Sequence, residues 1–149
     1  MIVGPRALGI LVAAAFVIDG VVHGTSASAY DPAHGGFITE GNLFRAEALA
    51  AAVVAILLVL TPNRLTWTLA LAVSATALSA VILYRYVNVG AIGPLPDLYE
   101  PTWQVPGKLL SAYAEASAVL VSGVVLVVNR GRRRAPSEPR TTTFQENQT

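Results

Sequence analysis

The chain has 149 residues, of which 54% are hydrophobic and only 13% charged, against about 25% charged in ordinary soluble domains. The length allows one compact domain, and the shortage of charge places it among membrane proteins. No cysteine is present, which excludes disulfides, thiol redox chemistry and thiolate metal sites.

Residues 5–22 form the first apolar run, opened by Pro5, a residue suited to an early helical position. Runs 43–60, 65–87 and 109–128 follow, the second closed by Thr61-Pro62-Asn63 and the fourth by Asn129-Arg130. Each is close to the ~20 helical residues that cross a bilayer core, none has an internal proline, and in lipid the backbone must satisfy itself as helix. We therefore expect an all-α, polytopic fold. A four-helix transmembrane bundle occupies residues 1–129, and a basic tail, 130–149, lacks apolar periodicity and is read as disordered. Arg6, the first apolar run and Ala27-Ser28-Ala29 also fit a cleavable signal peptide. Against cleavage, the apolar core ends near Ile18, well before that cut, and Asp19 and His23 intervene.

Arg6, Arg64, Arg130, Arg132, Arg133 and Arg134 lie on one side of this plan; only Arg45, Arg85 and Lys108 lie towards the other. The positive-inside rule puts both termini and the 61–64 turn in the cytoplasm of a plasma-membrane protein, with loops 24–42 and 88–107 outside. The tail arginines are a topology signal and a contact for anionic lipid, not a nucleic-acid site. Tyr30, Phe37, Phe44, Tyr84, Tyr86, Tyr99, Trp103 and Tyr113 mark the outer boundary and Trp67 the inner one. Small residues four apart offer close helix contacts: Ala46/Ala50 and Ala51/Ala55, then Ala72/Thr76/Ala80, then Ala114/Ala118/Ser122. The short 61–64 link makes the second and third helices antiparallel neighbours.

The acids concentrate at the outer end. Asp19 and His23, four apart, share a helix face. Ser111, Glu115, Ala118 and Ser122 form one small, polar stripe that should face the bundle. Glu47 lies inside the second run, and Arg45, two residues away, points elsewhere and snorkels towards headgroups. Arg85 closes the third helix. The expected interior set is Asp19, His23, Glu47, Arg85 and Glu115, with Arg45 and Lys108 as secondary members. Its acids outnumber its fixed cation, so a proton, an added cation, Arg45 or Lys108 must complete the balance. The simplest reading is an ion-pair network that fixes helix register. The others are a proton- or cation-handling site, as in a small transporter, and a pocket for a small polar molecule. The acids and histidines are acceptable metal ligands, but no compact metal-binding spacing appears, and no cofactor is expected. His34, beside Gly35-Gly36, reads as a solvated turn residue.

Loop 24–42 leads into the second helix, with Asn42 as its expected N-cap. In loop 88–107, prolines between 94 and 106 stiffen the chain, and Tyr99, Glu100 and Trp103 make it a lid or a docking surface for a partner. No nucleophile elbow, phosphate loop, dinucleotide fingerprint or zinc-protease motif occurs, so a non-enzymatic role is expected ahead of the remaining alternative, a membrane enzyme or redox-accessory protein. The non-enzymatic role is that of a bilayer-embedded bundle, alone, as a homo-oligomer or beside a membrane-protein partner.

The run Gly41-Asn42-Leu43-Phe44-Arg45-Ala46-Glu47-Ala48, after a first helix ending in His23, resembles small four-helix membrane proteins of actinobacteria. So does a fourth helix opening Gly107-Lys108-Leu109-Leu110-Ser111 with Glu115 inside it. The general plan is similar to the DoxX-like group. The resemblance covers roughly residues 5–128 and implies four helices. DoxX-type proteins have been linked to redox partners, a route from which the absence of cysteine removes the thiol chemistry.

Overall fold

The computed structural model of the chain describes residues 5–32 and 38–134. Four α-helices follow one another: α1 Pro5–Ser26, α2 Glu40–Leu60, α3 Arg64–Tyr86 and α4 Lys108–Arg134, with a single 3-10 turn, Ala27–Tyr30, after α1. There is no strand among the described residues. Each α-helix carries a stretch long and apolar enough to cross a membrane, as the apolar runs predict.

The helix ends differ from the apolar runs for local reasons. α1 continues past Val22 because polar side chains there bond back to their own helix. His23 Nδ1 lies 3.1 Å from the Asp19 carbonyl oxygen, and the Thr25 hydroxyl donates to the Val21 carbonyl at 2.7 Å. α2 begins earlier than expected. Its N-cap is Thr39, whose side chain accepts from the Asn42 N–H at 3.0 Å, so Asn42 lies in the first turn and is not the cap. Asn63 caps α3 by accepting from the Thr66 N–H at 3.1 Å. α4 runs through Arg134, so the first residues of the expected disordered tail are helical. His34, Phe37 and residues 135–149 lie outside the described residues.

α1 is the hub, packing on α2 and on α4, while α3 joins through α4. Contact between α2 and α3 is the slightest of these, despite their short link. The α1–α2 seam is closest where α1 has glycine. A Cβ on Gly9 would lie 2.8 Å from the Leu58 carbonyl oxygen, and one on Gly20 3.3 Å from the Ala51 Cβ. These α1 glycines were not among the small-residue spacings singled out in the sequence. On α2, Ala51 and Ala55 are buried but Ala46 is exposed. On α4, Ala114, Ala118 and Ser122 are all buried. On α3 the contact face is Ala70, Ser74 and Ala77, whereas Ala72 and Thr76 point outward, so the expected Ala72/Thr76/Ala80 face is displaced.

Two halves result. Val12, Phe16, Val54, Leu58, Trp67 and Val125 form an apolar core towards the end that carries the 61–63 link. Trp67 is 1% exposed, so it fills this core rather than sitting at a membrane boundary. The exterior is covered by Ile10, Leu11, Val17, Val21, Leu49, Ile56, Leu120 and Val124. Large aliphatic groups outside and small ones at the helix contacts suit helices that pack in lipid, where close backbone approach replaces hydrophobic drive. The other half, below the two long connections, is polar; we call it the loop end.

Candidate functional site

At the loop end, two i,i+4 pairs meet across the α1–α4 contact: Asp19/His23 on α1 and Ser111/Glu115 on α4. Asp19 and Glu115 are each 2% exposed. His23 Nδ1 lies 3.1 Å from Asp19 Oδ1. The Ser111 hydroxyl meets the same Asp19 oxygen and lies 3.1 Å from Glu115 Oε1. One ligand-capable atom from each of Asp19, His23 and Glu115 falls within 4.8 Å of the other two. A serine has one hydrogen to donate, and here it faces two carboxyl groups. A second hydrogen, or a cation, is needed to complete the contacts.

Other atoms in this half lack partners. Glu115 Oε2, Glu47 Oε1 and Arg85 Nε are buried without a hydrogen bond. A buried unsatisfied polar atom costs about 1–3 kcal/mol, more for a charged group.

A cavity of about 210 Å³ adjoins the cluster. His23 and Ser111 line it and also belong to the cluster, so the cluster forms its floor. Glu47, Phe44, Tyr84 and Glu100 line its sides. All four helices and the 88–107 connection contribute to its lining. Sites that enclose drug-sized molecules are about 300–1,000 Å³, so this one suits an ion with its water or a very small molecule. The His23 ring stands edge-on to Phe44, centroids 5.0 Å apart.

The expected interior set is thus divided. Asp19, His23 and Glu115 converge. Glu47 is half-buried on the cavity wall, within electrostatic range of Asp19 and His23. Arg85 forms no ion pair with a carboxylate among the described residues; its guanidinium carbon lies 5.0 Å from the Tyr86 ring centroid and 5.8 Å from that of Trp103. Lys108 Nζ is 5.6 Å from the Trp103 ring and donates to the Glu100 carbonyl at 2.8 Å. Arg45 points away from Glu47 and makes a bidentate pair with Asp31 on the surface, both contacts at 2.7 Å. The loop residues separate likewise. Trp103 receives two cations, and Glu100 reaches the cavity and donates its N–H to the Tyr84 carbonyl at 3.1 Å. Tyr99 is outside the cavity lining and partly exposed.

Ser111, the joint of the cluster, was seen in the sequence only as one member of a polar stripe. Its signal was the repeated spacing of four, which matches that of Asp19 and His23. Glu40, which lines the cavity, was read as part of a loop and had no such signal.

A scan against protein-family models gives no match, and searches of curated proteins and of solved structures give none either.

Proposed function

We propose that the chain is a non-enzymatic, multi-pass plasma-membrane protein that binds a cation at its outward-facing loop end, with both termini cytoplasmic. One observation carries this reading: two buried carboxyl groups share one serine hydroxyl, and among the described residues no lysine or arginine pairs with them. A purely scaffolding ion-pair network would place Arg85 on these acids. Arg85 is held instead by the faces of aromatic rings. The orientation rests on Arg6, Arg64 and Arg130, which sit at the end opposite the cluster. The cavity lies beside the cluster and under the 88–107 connection, and its small size favours an ion.

The test is thermal unfolding of the untagged, full chain in nanodiscs, across a pH series and with Na⁺, K⁺, Mg²⁺, Ca²⁺, Mn²⁺ and Zn²⁺. A cation that binds the folded state alone raises stability by about 2.7 kcal/mol at one hundred times its Kd. At least one such cation should raise Tm saturably, and Glu115→Gln should remove that rise. A wild-type chain whose Tm responds to none of these cations at any pH would end this reading.

A further inference from the structure

We propose that the loop-end site takes a divalent first-row transition-metal ion, with Asp19, His23 and Glu115 as its protein ligands. The proposal rests on the cation-binding reading above and specifies its ion and its ligands.

The cluster is more than a group of acids. It holds one imidazole and two carboxylates, brought together from two helices, with one ligand-capable atom from each inside a 4.8 Å span. An ion at the centre needs each arm to close by less than about 1 Å to reach metal–ligand distances near 2.1 Å, which small side-chain rotations supply. A second observation points to a missing partner: Glu115, 2% exposed, keeps Oε2 buried with no hydrogen bond. An ion among the ligands would satisfy that oxygen.

Charge selects the valence. Two ionised carboxylates and a neutral imidazole carry two negative charges, and isolated charge in an apolar interior is costly. A divalent ion cancels both; a monovalent ion leaves one. Donor chemistry then narrows the element. Carboxylates alone would suit Mg²⁺, Ca²⁺ or Mn²⁺, but imidazole shifts preference towards Fe²⁺ and Zn²⁺, leaving Mn²⁺ the first-row ion that the carboxylates themselves favour, and no thiolate draws in Cu(I). The surroundings resemble an outer ligand shell. The Ser111 hydroxyl stands between the two carboxylates and donates its one hydrogen to one of them. Such outer partners fix metal ligands and raise affinity. The cavity above leaves room for water or a small anion to complete the coordination.

The experiment uses the untagged full chain, stripped with chelator, in nanodiscs of zwitterionic lipid. Mn²⁺ binding is followed by electron paramagnetic resonance and Zn²⁺ by elemental analysis after desalting. One ion per chain is expected, and pulsed resonance on bound Mn²⁺ should show nitrogen coupling from one imidazole. His23→Gln and Glu115→Gln should each weaken binding by about 100-fold or more, and Ser111→Ala by about 10–100-fold. Absence of saturable Mn²⁺ and Zn²⁺ binding by the wild-type chain would overturn the proposal. So would bound Mn²⁺ without nitrogen coupling, a readout that does not depend on any variant folding. If Na⁺, K⁺, Mg²⁺ or Ca²⁺ stabilises the chain saturably while Mn²⁺ and Zn²⁺ do not bind, the metal proposal fails and the cation site stands. If none acts, both fail.

Discussion

Ser111 is the residue on which the polar half turns, because a single hydroxyl joins a carboxyl group on α1 to one on α4. Removing it leaves two buried acids without their shared donor. Hydrogen bonds to charged groups contribute about 1.5–3 kcal/mol, so Ser111→Ala should lower the unfolding free energy by that order, read from thermal or SDS titration. Arg45→Gln is the contrasting case. The Arg45–Asp31 pair lies on the surface, with about half of each side chain exposed (48% and 43%), and pairs of that kind contribute little. Its loss should leave Tm nearly unchanged. Both arginines near the acids were legible as cations at the correct level, yet neither meets the cluster. Sequence spacing gives the level of a residue along a helix and its face. It does not say whether an aromatic ring from a distant loop will capture it, as Trp103 captures Arg85.

At the scale of elements, the α1–α2 seam depends on glycine. The Leu58 carbonyl oxygen already stands 2.8 Å from where a Gly9 Cβ would be, so that a side chain there must push the helices apart. Overpacking of this kind costs about 1–3 kcal/mol, and Gly9→Val should show it as a lower Tm with helix content kept by circular dichroism. The 87–107 connection is tied down by Trp103 between Arg85 and Lys108 and by the Glu100–Tyr84 backbone bond. Each cation–π contact contributes about 0.5–2 kcal/mol. Trp103→Ala should loosen the loop, detected as faster hydrogen exchange of the Glu100 N–H and faster proteolysis within 88–106. The helices themselves were legible, since an apolar run of membrane-spanning length has one backbone solution in lipid. Their ends were less so. Caps and back-bonded side chains set those, and Thr39 displaced Asn42 as the cap by a geometry that composition does not specify.

For the whole molecule, orientation is open to direct test because the chain has no cysteine. Asp97→Cys and Ser137→Cys give single thiols in the long loop and the tail. In intact cells a membrane-impermeant thiol reagent should label the first and not the second; the reverse pattern would turn the proposed topology over. The sequence by itself determined the class of structure: four membrane-length helices, their order, and acids gathered towards one end. Those features follow from local hydropathy and helix periodicity, which each segment carries within itself. Only the tertiary structure decided which of the acids meet. Asp19, His23, Ser111 and Glu115 come together because α1 packs against α4. Glu47 is left on the wall of a cavity that α2 and α3 line together. Convergence depends on the rotation and separation of whole helices, set by every contact along them, including glycines far from the site. No single segment encodes that.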